Sequence, residues 1–150
     1  MNANLAPVNL EPLITQFQTR SYLYEGLVYQ DFLKVAVELT QSQIGFFHLY
    51  NEETGNLHLA VWSDGVFPIC TTTHSSHYPL QEAGIWADAV RQRMPIICND
   101  YSRQVKASGL PAGHFPVMRV LSVPVFVEDK IVAIMGVIVS IPILSPKHRL

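Results

Sequence analysis

The chain has 150 residues, of which 49% are hydrophobic, and its ten basic and twelve acidic residues give a net charge of −2. This length suffices for one domain with a core that needs neither disulfides nor a metal. Because the nearly balanced charge provides no broad cationic surface for a phosphate backbone or an anionic bilayer, we expect no nucleic-acid partner and no membrane partner.

The cysteines and the first residues bear on the cellular compartment. Cys70 and Cys98 are far apart, and the opening MNANLAPVNLEPL lacks the basic and apolar regions of a secretion signal. We therefore predict reduced thiols and a cytoplasmic location. The most apolar run, residues 131–144, is shorter than the ~20 residues of a spanning helix, and its β-branched residues favour a buried strand.

Helices are predicted in the first third of the chain. Residues 1–9 show no periodicity and are expected to be flexible. Two helices should follow, with a softer joint at residues 21–26 and an end of the second helix at residues 40–43. Helical spacing is carried by Leu13, Ile14 and Phe17 in the first helix and by Leu27, Phe32, Val35, Ala36 and Leu39 in the second.

A β-hairpin is predicted next. Residues 44–50 are apolar and aromatic, and residues 57–63 alternate between apolar and other side chains. The connection NEETGN supplies a glycine, Gly55, for the turn. Residues 64–76 are rich in Thr, Ser, Gly and Pro and are expected to form a surface loop.

Residues 77–101, HYPLQEAGIWADAVRQRMPIICNDY, predict a loop, an amphipathic helix and a short strand at residues 96–98. Arg91 and Arg93 would complement the dipole at the end of this helix, and Pro95 would stop it. The predicted inner face carries Ile85, Trp86, Ala89 and Val90, and the predicted solvent face carries Asp88, Arg91 and Gln92.

The last third predicts a long loop and a second hairpin. Residues 101–117 contain GLPAGHFP and are too irregular for a simple turn, which is typical of functional loops. Residues 119–127 and 131–140 then flank a polar turn, Glu128 to Lys130. The order of elements predicts one α+β domain over residues 10–140, with an antiparallel sheet and helices on its faces.

Three of these segments, taken in order, resemble a known family. QSQIGFFHLYNEETGNLHLAVWSD resembles the opening hairpin of a GAF domain, GIWADAVRQRMPIICND its middle helix and strand, and LSVPVFVEDKIVAIMGV its closing hairpin. HYPLQEAGIWAD and GLPAGHFP resemble more narrowly the GAF subgroup of bacterial sensor histidine kinases and diguanylate cyclases.

The resemblance implies a fold and a mode of action. The fold is the GAF-like (profilin-like) six-stranded antiparallel sheet with helices packed on its faces. One side would carry N-terminal helices that form a homodimer, and the other a small-molecule pocket roofed by the middle helix and loops. The tail, residues 141–150, departs from the subgroup, since it lacks the usual polar turn and output helix.

Aromatic and polar side chains are the candidates for binding an unidentified small-molecule ligand. For Trp86 a place in the core is favoured over ligand contact, and for His48 a hydrogen-bonded structural role is favoured over ligand binding. Arg119 could bind an anionic ligand or form an ion pair with Asp88 or Asp100. The candidates are His48, Trp62, Tyr78, Trp86, Tyr101, His114, Arg119 and Ser122.

No metal site and no catalytic residue are predicted. Cys70, His74 and His77 are suitable zinc ligands, but no fourth ligand stands at a diagnostic spacing, which favours a solvated loop. Haem ligation by one of these histidines stays open, although no motif requires it, and the cofactor is unknown. Bilin attachment is not expected, because neither cysteine precedes a histidine.

Three functions follow from these observations. The favoured one is a non-catalytic sensory domain of a bacterial signalling protein, of the two-component or cyclic di-GMP type. The second is a thiol-dependent reductase of the free methionine sulfoxide type, for which Cys98 would be the thiol near the pocket, although the predicted helix GIWADAV lacks a cysteine. The third is a dimerisation module that binds no ligand.

Overall fold

The structure, a computed structural model, describes residues 8–63, 77–104 and 116–140, and the side chains of residues 77 and 78 are outside this description. The predictions of a flexible start, a loop at residues 64–76 and an unusual tail at residues 141–150 therefore concern residues mostly or wholly outside the described ranges. The same holds for residues 105–115 of the second predicted loop.

Two helices precede the sheet, as predicted. Helix α1 spans Glu11–Thr19 and helix α2 spans Glu25–Thr40. The side-chain oxygen of Asn9 accepts a hydrogen bond from the Glu11 N–H at 3.1 Å, which satisfies one of the amides left open at a helix start. After α2, Gln41 adopts a left-handed conformation with φ 52°, and this turns the chain into the first strand.

The strands form one sheet with the order β3-β2-β1-β6-β5-β4. Every neighbouring pair is antiparallel, so the prediction of an α+β fold with an antiparallel sheet is confirmed. The two edge strands have only three residues each. The strands are β1, Ile44–Asn51; β2, Asn56–Trp62; β3, His77–Pro79; β4, Ile96–Cys98; β5, Val117–Val127; and β6, Lys130–Ser140.

Turn chemistry explains the first hairpin. The side-chain oxygen of Asn51 accepts hydrogen bonds from the N–H groups of Glu53 and Thr54, each at 3.0 Å. Gly55 closes the turn with φ 68°, a conformation that costs glycine little. Both predicted hairpins and the glycine at the first turn are confirmed.

Helix α2 covers one face of the sheet. Leu33 is fully buried there and packs with Phe47 and Ala133, while the Tyr29 ring stacks on Phe47 at a centroid distance of 4.3 Å. Gly45 lies beneath the helix, where an added Cβ would stand 3.1 Å from Leu33. The absence of a side chain at this position lets the helix approach the central strand closely.

The other face carries the larger core and is covered by residues 80–92, which we call the roof segment. It consists of 3₁₀ turns at Leu80–Glu82 and Ile85–Ala87 followed by helix α3, Asp88–Gln92. The single amphipathic helix that the sequence predicts is thus broken into turns. Ile85 and Trp86 are 7% and 8% exposed, so their predicted inward orientation is confirmed.

Within the described residues, each helix is too short or too polar to cross a membrane.

Candidate functional site

Four rings meet between the sheet and the roof segment, and we call them the aromatic cluster: Phe46 and His48 on β1, Trp62 at the end of β2, and Trp86 in the roof. The His48 ring lies 4.8 Å from Trp86 and 6.4 Å from Trp62, centroid to centroid. The Phe46 ring lies 5.4 Å from Trp86. Alternation along β1 directs Phe46 and His48 to this face. The cluster therefore joins the first hairpin to the roof.

His48 is the titratable group at the centre of this cluster. Its side chain is buried, and burial, followed by the neighbouring His58, lowers the pKa of His48 to about 3. Burial disfavours the imidazolium because its charge loses solvation. His48 is therefore a neutral imidazole near pH 7, able to donate through one nitrogen and accept through the other.

A glycine in β6 makes room for the cluster. Gly136 pairs with Phe46 on one side and with Ser122 on the other. A Cβ added to Gly136 would stand 2.2 Å from Cζ of Phe46 and 2.8 Å from the Leu121 carbonyl oxygen. The Phe46 ring therefore lies directly over Gly136, and only glycine fits beneath it.

Two buried hydroxyls lie on the same side of the sheet as the cluster. Ser122 is 0% exposed and Tyr101 is 3% exposed. Among the described residues, neither Oγ of Ser122 nor the Tyr101 hydroxyl has a hydrogen-bond partner. Burial, and then the nearby Cys98 and Asp88, raise the pKa of Tyr101, so its phenol keeps its proton and remains a donor at neutral pH.

Arg91 holds the roof segment in shape. Its Nη2 donates to the carbonyl oxygens of Leu80 and Ala83, each at 2.6 Å, and its Nη1 donates to Gly84 at 3.1 Å and to the Asp88 carboxylate at 2.5 Å. The guanidinium thus donates hydrogen bonds to carbonyl oxygens that have no helical partner, because the helix is broken into turns. The sequence predicts Arg91, Gln92 and Asp88 on the solvent face. Arg91 and Gln92 are exposed as predicted, whereas Asp88 is only half-exposed because its carboxylate is held by Arg91.

Arg93 links the end of α3 to both hairpin turns. Its Nη1 donates to Oε1 of Glu52 at 2.6 Å, and its Nη2 donates to the Asp129 carbonyl. The hydrogen bond from Arg93, followed by that from the Ile131 N–H, lowers the pKa of Glu52. The guanidinium also lies 5.2 Å from the centroid of the Phe126 ring. Side-chain contacts of this range leave no signal in sequence periodicity.

The eight candidate residues are only partly brought together. His48, Trp62 and Trp86 meet in the aromatic cluster, and Tyr101 and Ser122 lie on the same side of the sheet. The backbone of Tyr78 pairs with Leu57, whereas its side chain and the whole of His114 are outside the described residues. Phe46, which links the candidates, was missed because an apolar strand residue resembles any other core residue.

Arg119 lies away from the cluster. It is exposed, whereas Val120 and Ser122 are buried beside the core, so Arg119 points to the opposite face of β5. The predicted ion pairs do not form either, since Asp88 binds Arg91 and Asp100 binds Arg103. Residues three apart in a strand face opposite sides, so Arg119 and Ser122 could not both line one pocket.

The sulfur and metal candidates add little to this site. Cys98 is 6% exposed and packs in the core. Cys70 and His74 lie outside the described residues, as does the side chain of His77. In the described ranges, no group of three His, Cys, Asp or Glu side chains is arranged to hold a metal ion.

Fold and site together define an α+β domain whose sheet and roof enclose an aromatic, largely apolar cluster, the type of surface that binds small molecules. A sequence model of the GAF domain matches residues 28–149. The chain belongs to the GAF domain family.

Individual relatives agree with this assignment. Over 68% of its length the chain is 38% identical to the methyl sulfide methyltransferase-associated sensor of Methanosarcina acetivorans, and it spans 10% of that relative. Its fold is similar to the GAF domain of an Acinetobacter phosphoenolpyruvate-protein phosphotransferase, with a TM-score of 0.65 and 12% identity, covering 87% of this chain and 74% of the other. Its fold is also similar to that of a free methionine-R-sulfoxide reductase from Neisseria meningitidis, with a TM-score of 0.62 and 12% identity, covering 83% of this chain and 67% of the other.

Proposed function

We propose that this chain is a non-catalytic sensory GAF domain in which a small molecule binds against the aromatic cluster. The observation that carries the proposal is the neutral His48 held between Trp86 and Trp62 beneath the roof segment. Family membership and the similarity to a protein named as a sensor support a regulatory role. We place the domain in the cytoplasm, within a bacterial signalling protein of the two-component or cyclic di-GMP type.

The signal would pass from the roof segment to the sheet and then to the helices. Arg93 connects α3 to the turns of both hairpins, and α2 packs directly on β1. A ligand that moves Trp86 would therefore bias the helical side of the domain. We propose that α1 and α2 form a homodimer, because Ile14, Phe32 and Leu39 are apolar yet 42 to 47% exposed on these helices.

A thermal-shift screen tests the proposed function. Nucleotides, small carboxylic acids and haem are added to the purified domain, and the melting temperature is followed. A ligand that binds only the folded state must raise it. A reproducible rise with one class, lost in a Trp86→Ala variant, is the expected result. Failure of every class to raise the melting temperature would count against a sensory role.

A ligand-free dimerisation module is the second candidate. The observation that favours it is the packing of the four rings against one another, with centroids 4.8 to 6.4 Å apart. This candidate predicts that no ligand stabilises the domain although the dimer forms normally.

The reductase hypothesis depends on a thiol. A thiolate attacks only when it is accessible, and Cys98 is buried in the core. We therefore expect Cys98 to support no turnover of free methionine sulfoxide. Turnover that disappears in a Cys98→Ala variant would establish the enzyme and contradict a purely sensory domain.

A further inference from the structure

The pairing of the central strands brings a buried hydroxyl next to the aromatic cluster. Phe46, Gly136 and Ser122 stand in one row across β1, β6 and β5. Neighbouring strands are ~4.8 Å apart. Since the Phe46 ring lies over Gly136, it covers the position between its own strand and Ser122. The Ser122 side chain and the Phe46 ring are therefore neighbours on the floor beneath the roof segment.

The hydroxyl of Ser122 can form a hydrogen bond that no described residue satisfies. Ser122 is 0% exposed, and its Oγ has no hydrogen-bond partner among the described residues. A buried hydroxyl without a partner costs free energy, because it has lost its hydrogen bonds to water. By contrast, Ser140, a buried serine of β6, donates its hydroxyl hydrogen to the Pro116 carbonyl at 2.6 Å. Ser122 is thus poised to donate to a bound molecule.

Among the described residues, the side chains around Ser122 present no unpaired charge. His48 is neutral at physiological pH, and the other rings of the cluster are apolar. The nearest roof cation, Arg91, is occupied by Asp88 and three carbonyls, and Arg119 points to the other face of the sheet. An ion bound here would lose its solvation without a fixed counter-charge from the part of the chain that the structure describes, which is strongly unfavourable.

We infer that the ligand of this domain is a small uncharged molecule that places an apolar or aromatic surface on the aromatic cluster and accepts a hydrogen bond from Ser122. An amide, a lactam or a neutral heterocyclic carbonyl has this chemistry. The inference rests on the proposed function and names the class of ligand for that same site.

Three probes of one shape test the requirement for neutrality. Benzamide, benzoate and benzamidine share a phenyl ring and a planar substituent, but at pH 7 they are neutral, anionic and cationic. Titration calorimetry on the complete chain should give benzamide an affinity at least tenfold higher than either ion. Equal or tighter binding of benzoate or benzamidine, or no binding of benzamide, overturns the inference.

Two serine variants test the hydrogen bond. Ser122→Ala should weaken benzamide five- to tenfold, the loss of one hydrogen bond, while the melting temperature of the free domain stays the same or rises. Ser140→Ala should do the reverse, lowering the melting temperature and leaving benzamide affinity unchanged. Unchanged affinity in Ser122→Ala overturns the role of Ser122.

The outcomes separate this inference from the proposed function. If a charged probe binds more tightly than benzamide and its binding is lost in the Trp86→Ala variant, the inferred neutral ligand is rejected but the sensory pocket is retained. If none of the three probes binds, the inference is rejected. The thermal-shift screen of nucleotides, acids and haem then tests the sensory role independently.

Discussion

His48 is the residue whose chemistry departs furthest from its behaviour in water. In the unfolded chain a histidine has a pKa near 6.5, and burial lowers the pKa of His48 to about 3 in the folded domain. Between these values the unfolded state binds the extra proton, so the free energy of unfolding falls as pH drops through 6.5. The cluster is therefore intrinsically sensitive to acid.

This predicts a measurable pH dependence. Between pH 6.5 and pH 5, His48 should reduce the free energy of unfolding by up to about 1.4 kcal/mol per pH unit. Urea unfolding at several pH values compares the natural chain with His48→Gln, which stays neutral. The variant should lose that part of the slope. Parallel slopes in the two proteins would show that His48 takes up a proton without unfolding.

Gly136 is the second residue with a specific role, since the close packing of the Phe46 ring requires glycine at this position. Gly136→Ala places a methyl group against the Phe46 ring and the Leu121 carbonyl, and should destabilise the domain by about 1–3 kcal/mol. Part of the loss should return in a Phe46→Leu background. Gly26→Ala in α2 is the control, because an added Cβ there would meet only the exposed Tyr24 ring, and alanine favours a helix. Equal effects at the two glycines would contradict the close packing.

At the scale of elements, the roof segment owes its shape to a side chain rather than to helical propensity. Arg91→Met removes hydrogen bonds to three carbonyls and should cost about 1–3 kcal/mol in urea unfolding, with a change in the near-ultraviolet signal of Trp86. Arg103→Met is the matched control, since Arg103 only pairs with Asp100 on the surface, and such pairs contribute about 0–1 kcal/mol. If Arg103→Met lowers the free energy of unfolding as much as Arg91→Met does, the hydrogen bonds of Arg91 do not hold the roof segment in shape.

Periodicity was sufficient to predict the elements that bury one regular face. The two hairpins are of this kind. Helix α2 was also predicted, but its buried residue is Leu33, whereas Phe32 and Leu39 of the predicted helical pattern are exposed. Strand β3 was not predicted, since its three residues, ending in Pro79, gain their pairing only from Asn56 to His58 of β2. Short edge strands are set by tertiary contacts and leave no periodic pattern.

The candidate site was predictable in its chemistry but not in its orientation. His48, Trp62 and Trp86 were identified from residue type and segment, and they do meet. The predicted placement of Arg119 in one pocket with Ser122 is wrong, because the two were chosen by residue type, whereas residues three apart in a regular strand face opposite sides of the sheet.

At the scale of the whole molecule, the proposed dimer is the feature most open to direct test. Leu39→Glu introduces a charge on the exposed stripe of α2 and should raise the dimer dissociation constant at least tenfold, as measured by light scattering during gel filtration. Ile97→Glu is the control, because Ile97 is 70% exposed on β4 at the far edge of the sheet. A natural chain that is monomeric at every concentration would contradict the proposed interface.

The central claim is that a ligand binds at the aromatic cluster, and the two tryptophans of the chain, Trp62 and Trp86, report on it separately. The measurement is a proton–nitrogen correlation spectrum of the two indole N–H groups, assigned with Trp62→Phe, during titration with a molecule that raises the melting temperature. If the ligand binds at the aromatic cluster, both indole resonances shift with one common binding constant. If a molecule stabilises the domain while both indole resonances stay in place, it binds elsewhere, which would contradict binding at the aromatic cluster.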